Sequence, residues 1–350
     1  MIPISYLRSS SYSCHTMCPM KYLAEYMLGW TGPSNMKADK GTIVHKVMEL
    51  LAFAKLRHPK RYVDKETKIS LTVKSDIDKI AEKVFYFYTS QIHHHDWKEG
   101  DLRECVRWVH KCVEQNDGVF DPRKLNIIDA EPHFDIELPY EWADYDYIYM
   151  GEQLKGKLRI KGTIDLVTKI ADDTYEIIDW KTGKRLDWAT GKVKSQEVLQ
   201  NDFQLRLYHL AVHNMYPTID QFLMTINYIN DGGAFTVHFD QHDIPDTLAM
   251  TRKKFEKIKN TKNPALLYEE RPGDAWKCRR LCHLSKETFE GKGTKPLTET
   301  RHGQQANKGD YMSMCDQLKY TIERRPIELA IDNMSKEGHS VRHYRSPGSV

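Results

Sequence analysis

Through roughly the first 120 residues, apolar side chains recur at spacings of three and four, the period of helices with one buried face. The pattern predicts helices over residues 17–28, 39–57, 75–92 and 101–114. In the second, Ile43, Val44, Val47, Leu50, Leu51 and Ala54 form one stripe behind a cap expected at Asp39; Ile77, Ile80, Ala81, Val84 and Tyr88 do the same in the third. Beyond them the period changes to two. Residues 127–138, 157–170, 174–181, 222–230 and 235–239 alternate, carry β-branched side chains, and are bounded by turn signals such as Ala171-Asp172-Asp173 and Asp231-Gly232-Gly233. One helix, over 202–214, interrupts these strands and another, over 244–259, follows them, so the order predicts a mixed α/β fold. Residues 285–310 have almost no apolar side chains and read as a surface loop, and no internal repeat is evident.

Composition narrows the function classes. The 350 residues include 52 Lys and Arg against 49 Asp and Glu, a net charge of +3, which excludes a polycation or an acidic tail and requires any nucleic-acid track to be local. With 40% hydrophobic residues the chain can build a sizeable core rather than stay disordered. Its longest uninterrupted apolar runs, such as residues 50–54, are far short of the roughly 20 that a membrane helix needs. The N-terminus has no apolar signal core, so a cytoplasmic location is expected. Seven cysteines without a signal peptide argue against a disulfide framework and leave metal ligation or packing. Cys105 and Cys112 share an apolar face with Val109 and read as core thiols. Cys14 and Cys18, and again Cys278 and Cys282, are spaced four apart, close enough to face one metal ion or cluster, with His283 beside the second pair and Cys315 alone beyond the loop.

The most informative stretch, residues 161–183, reads as two strands joined by a tight turn, with Asp165 in the first and Asp179 in the second. Alternation places Asp179 and Lys181 on one face and Ile178 and Trp180 on the other. Both carboxylates interrupt apolar runs, where an unpaired charge is costly and a divalent cation would remove that cost. Two carboxylates and the Trp180 carbonyl are the hard oxygen ligands that Mg²⁺ or Mn²⁺ prefers, and the Lys181 ammonium could orient an attacking water and offset charge on phosphorus. The bland alternative is a salt bridge from Asp179 to Lys181 or Lys161, with Asp165 capping a turn.

These residues resemble the PD-(D/E)XK nucleases, and within them the RecB-like branch that includes CRISPR-associated RecB-like exonucleases and many phage exonucleases. Gly162-Thr163-Ile164-Asp165 resembles the branch's G-x-x-D strand, and Asp179-Trp180-Lys181-Thr182-Gly183 its D-x-K-T-G strand. Gly41-Thr42-Ile43-Val44-His45 is similar to its G-x-x-x-H helix, and Gln204-Leu205-Arg206-Leu207-Tyr208 to its Q-x-x-x-Y helix. The resemblance implies a restriction-endonuclease-like core, a mixed central sheet flanked by helices, over residues 126–262. A helical N-terminal arm over 1–125 and a cysteine-bearing segment over 263–350 that returns to the arm would complete it. It implies Asp165, Asp179 and His45 as metal ligands, Glu131 as a further acidic residue near the metal, Lys181 assisting the water, and Gln204 and Tyr208 in support. Cys18-Pro19-Met20-Lys21-Tyr22 and Trp276-Lys277-Cys278 resemble the cysteine motifs of iron-sulfur members, which implies a [4Fe-4S] cluster on Cys18, Cys278, Cys282 and Cys315. Cys315 lies 33 positions beyond Cys282, whereas the family's downstream cysteines are closely spaced, so a zinc site that includes Cys14 stays open. The implied activity is exonucleolytic hydrolysis of DNA from its ends, single-stranded DNA included, with roles in recombination or repair and a host-cytoplasm setting if phage-encoded. A DNA-binding subunit without cleavage and a structure-specific endonuclease are the other readings. No G-x-x-x-x-G-K-[ST] motif occurs, so an unwinding helicase would be a partner chain. Trp180, Trp188 and Trp276 are candidates for stacking on bases, Lys277, Arg279 and Arg280 for phosphate contact, and His93-His94-His95 for a metal or a solvated helix end.

Overall fold

The computed structural model describes Ile2, residues 4–28, 34–149, 152–187, 191–262 and 264–284, and isolated positions between 295 and 323. Contacts divide the chain into a unit of residues 34–135 and 161–248, and a unit of residues 1–33, 136–160 and 249–350. In this division the helix bearing His45 falls with the sheet, and the first 33 residues fall with the cysteine-bearing end.

The first unit contains helices α1 (Met36–Arg57), α2 (Ile77–Thr89) and α3 (Glu99–Gly118), strands β1 (Ile127–Ala130), β2 (Leu166–Lys169) and β3 (Thr174–Lys181), helix α4 (Phe203–Met215), and strands β4 (Gln221–Tyr228) and β5 (Gly233–Asp240). The strands form one mixed sheet in the order β5-β4-β3-β2-β1, in which β3 and β4 are parallel and the other neighbours antiparallel. The parallel pair needs a crossover, and the connection carrying α4 supplies it. The central strand β3 is buried on both faces: Ile177, Ile178, Asp179 and Trp180 are each at most 2% exposed. Ile178 and Trp180 pack with the apolar stripe of α1, including Ile43, Val47 and Leu51, and with Val84 of α2 and Val109 of α3. Cys105 and Cys112 are fully buried in the same core, as their spacing predicted.

Several boundaries differ from the sequence reading. Helix α1 begins three residues before Asp39, because Asn35 caps it by accepting the Ala38 N–H at 3.0 Å, while Asp39 is drawn into tertiary contacts. Helix α3 loses its form before its last residue, with Asn116 at φ 52° and Asp117 at φ 57°, left-handed conformations that these two residue types tolerate. Each of the first two expected strands is broken. Residues 127–138 become β1 and His133–Glu137, and residues 157–170 become Arg159–Thr163 and β2. At the double break the Glu131 N–H donates to the Asp165 carbonyl at 3.1 Å and the Ile164 N–H to the Pro132 carbonyl at 3.1 Å. Asp165 therefore sits between strands rather than inside one, and Glu131 adopts a left-handed φ of 52°.

In the second unit, Tyr6 and Leu7 pair in parallel with Arg159 and Ile160, and strands Asp144–Tyr149 and Glu152–Lys157 form a hairpin. The helix expected over 17–28 is instead three pieces: Ser9–Met17, Pro19–Tyr22 and a π-helical turn Leu23–Met27. The break falls at Cys18, whose extended backbone (φ −157°) precedes a proline that disfavours helix at the residue before it. The expected surface loop at 285–310 lies largely outside the described residues, as does Trp188. No described helix is long and apolar enough to cross a membrane.

Candidate active site

Six side chains, from β3, α4, α1 and the break before β2, meet around the end of β3. Asp179, 1% exposed, accepts hydrogen bonds at Oδ1 from Lys181 Nζ (2.8 Å), Gln204 Nε2 (3.0 Å) and Tyr208 Oη (3.4 Å). Asp202 caps α4 by accepting the Gln204 N–H at 2.8 Å, which fixes Gln204 in the first turn and Tyr208 one turn later on the same face. Gln204 Nε2 also donates to Tyr208 Oη at 2.7 Å, so the amide and phenol hold the carboxylate together.

Asp165 reaches the same place from the break before β2. Its Oδ2 accepts the Trp180 N–H at 3.0 Å and lies 3.3 Å from His45 Nδ1 on α1. Helix α1 can come this close because position 41 is glycine: a Cβ there would stand 2.8 Å from Thr182 Oγ1. A Cβ at Gly162 would strike Phe134 Cζ at 2.4 Å, and Phe134 in turn meets the Tyr208 ring edge-on at 6.2 Å. At Gly183, by contrast, a Cβ would meet nothing within 4 Å. Thr182 stood in the sequence only as part of the Asp179–Gly183 motif, and Phe134 and Asp202 were given no role there; Asp202, at the start of the α4 pattern, carries a cap signal.

Crowding sets the charges. Burial and then Asp165 raise the Asp179 carboxyl above its ordinary range, against Lys181. Burial also opposes ionisation of Asp165, but His45, Lys181 and the Trp180 N–H outweigh it and hold this carboxyl low. Lys181 and His45 both lose solvation, yet Asp179 and Asp165 respectively raise them, so both favour the cationic form. Glu131 is pushed up to about 8, first by burial and then by Asp165 and Glu49. Tyr208 is raised well above the usual phenol range by burial and by Asp179, and stays a hydrogen-bond donor.

Asp165, Asp179 and His45 offer donors of the kind a hard divalent cation takes, although their ligand atoms do not all lie within 4.8 Å of one another. Asp179 Oδ2 is buried and faces the Lys181 ammonium at 2.6 Å. A carboxylate oxygen so placed beside a second carboxylate is the kind of ligand that Mg²⁺ or Mn²⁺ takes. Lys161, the other partner considered for Asp179, pairs with Asp135 at 3.0 Å.

The cysteine positions fall in the second unit. The Cys315 N–H donates to the Leu284 carbonyl at 3.4 Å, and Lys21 Nζ to the Leu281 carbonyl at 3.3 Å, which brings the Cys18 region to Cys282. Cys18 is 6% exposed, and burial pushes the Cys282 thiol up to about 12. Cys14 donates to Glu25 Oε2 at 3.5 Å. None of the seven cysteines is in a disulfide, and among the described residues no three sulfurs lie within 4.8 Å of one another. Two surface candidates are corrected: Trp180 and Lys277 are each 2% exposed and cannot offer an open stacking or phosphate-binding face, whereas Trp276 is 40% exposed.

Comparison with known proteins bears on this geometry. Residues 9–286 match the family described as the PD-(D/E)XK nuclease superfamily. A crystal structure from Eubacterium rectale described as "putative exonuclease" is similar at 11% identity, covering 84% of this chain and 91% of its own, with a TM-score of 0.43. No curated protein sequence matches significantly.

Proposed function

The chain belongs to the PD-(D/E)XK nuclease superfamily, and on that premise we propose that it is a metal-dependent deoxyribonuclease that hydrolyses phosphodiester bonds from DNA ends. The observation that carries this reading is the convergence on the end of β3 of Asp165, Asp179, the one-third-exposed Lys181 and the His45 imidazole, with Gln204 and Tyr208 holding Asp179. Asp165, Asp179 and His45 would hold Mg²⁺ or Mn²⁺, with Glu131 adjacent, and the ion when bound would polarise the phosphate and lower the pKa of a water. The remaining work falls to the chain. Gln204 and Tyr208 fix the Asp179 carboxylate, and the Trp180 N–H fixes that of Asp165. Lys181, kept cationic by its carboxylate neighbours, orients the attacking water and offsets negative charge as it grows on the phosphate.

In the second unit we propose a [4Fe-4S] cluster on Cys18, Cys278, Cys282 and Cys315. The likeness of the Cys18 and Cys278 segments to the cysteine motifs of iron-sulfur members supports it, and burial of Cys282 beside Cys18 and Cys278 suits either a cluster or a zinc ion that takes Cys14. Protein purified without oxygen should show iron and visible absorbance that Cys282→Ser removes; colourless, zinc-loaded protein would reject the cluster. DNA unwinding would fall to a separate helicase.

The test of the nuclease reading compares wild type with Lys181→Ala on matched linear and closed-circular, single- and double-stranded DNA, with Mg²⁺, with Mn²⁺ and with chelator. Chelator-sensitive loss of linear DNA that falls at least about a hundredfold in the variant is expected. Cutting of closed circles would mean an endonuclease instead, and DNA binding with every substrate intact in both proteins would reduce the chain to a binding subunit.

A further inference from the structure

Away from the nuclease site, Asp39 in the first turn of α1 meets His94 and His95 in the segment after α2. Among the described residues this is the group of three His, Cys, Asp or Glu side chains whose ligand atoms all lie within 4.8 Å of one another. Asp39 Oδ2 is 2.8 Å from His95 Nε2 and 3.7 Å from His94 Nε2. Those distances bracket the separation of roughly 3.3 Å between ligands on a tetrahedral ion with bonds of about 2.0–2.1 Å.

We propose that Asp39, His94 and His95 bind a divalent transition-metal ion of the zinc class. Two borderline imidazole nitrogens and one hard carboxylate oxygen make a set that zinc takes, and differ from the oxygen-rich set around Asp165 and Asp179 that suits Mg²⁺. The surroundings orient the ligands. Ser34 Oγ donates to Asp39 Oδ1 at 2.5 Å and leaves Oδ2 turned to the two imidazoles. The Trp97 ring meets His95 edge-on at 5.3 Å, and the two imidazoles stand with centroids 4.1 Å apart. The Asp39 and His95 side chains are 10% and 12% exposed and His94 is 38% exposed; without an ion His94 Nε2 lies 3.1 Å from the Ser34 carbonyl, a contact it would give up to the metal. The ion would clasp the start of α1 to the chain that leads into α3, next to the Lys40 pairs with Asp101 and Glu104 on α3. It would thereby anchor the helix that carries Gly41 and His45.

The full-length wild type and a His94→Ala/His95→Ala variant, stripped of metal and dialysed against Zn²⁺, would be compared for bound zinc and for thermal unfolding. Zinc held by the cysteines or by the nuclease site is common to both proteins, so the variant should bind one equivalent less and lose part of the zinc-dependent rise in Tm. Equal zinc content would overturn the site and leave a hydrogen-bonded Asp39–His95 pair. If the double variant fails to fold, the exposed His94→Ala alone should weaken zinc binding at least about tenfold in an indicator competition; unchanged affinity there would overturn the proposal equally.

Discussion

Glu131 concentrates the electrostatic tension of the nuclease site in one residue. It is a carboxylic acid in a left-handed turn, raised to about 8 by burial and by Asp165, within a group whose Asp165 carboxyl is held low. The folded protein therefore keeps this proton through a range in which the unfolded chain, titrating near 4.5, has released it. In chelator the associated stability is present below about pH 4.5 and is lost as pH rises to about 8, by at most about 1.4 kcal/mol per pH unit. Denaturant unfolding in chelator at pH 6 and pH 8 should show wild type losing stability relative to Glu131→Gln. Parallel pH profiles would show that Glu131 ionises normally.

At the scale of elements, α4 has two faces with different tasks. Gln204 and Tyr208 hold Asp179, while His209 is fully buried with its ring stacked on Phe239 of β5 at 5.2 Å and edge-on to Phe222 of β4 at 5.8 Å. Neither His209 nitrogen has a hydrogen-bond partner among the described residues, and burial lowers its pKa to about 4. The unfolded imidazole takes a proton near pH 6.5, so its contribution to stability is full above that value and is lost as pH falls towards 4. His209→Phe should raise Tm and flatten the acid limb of stability by at most about 1.4 kcal/mol per pH unit between pH 6.5 and 4. An acid limb as steep as that of wild type would mean that His209 finds a partner in solution.

The same scale shows what could be read in the chain. Alternation in β3 was legible because Asp179 and Lys181 alternate with Ile178 and Trp180 on a strand whose burial is determined by side-chain chemistry. The Gln204/Tyr208 face was legible from the helical repeat. The place of Asp165 was not, because the alternation Ile164-Asp165-Leu166 runs through a break produced by hydrogen bonds to residues more than thirty positions earlier. Glu131 gave no turn signal, since glutamate rarely takes a positive φ and only the tertiary bond from its N–H holds it there. Asp39 looked like a cap because it precedes an apolar stripe, but its partner His95 lies 56 residues on.

For the molecule as a whole, the fold is the mixed sheet flanked by helices that characterises the superfamily. Its two units are not consecutive along the chain. One is drawn from residues 34–135 and 161–248, and the other from three segments that include the first 33 residues and everything from 249 onward. A ribosome delivers these pieces in order, and a folding unit can close only when its last segment has emerged. His45, Glu131, Asp165, Asp179, Lys181, Gln204 and Tyr208 all exist once synthesis passes Leu248. Cys18, made early, must wait for Leu267 and Arg271, so its thiol spends most of translation without late-made neighbours that pack against it, and oxidants have their opportunity in that interval.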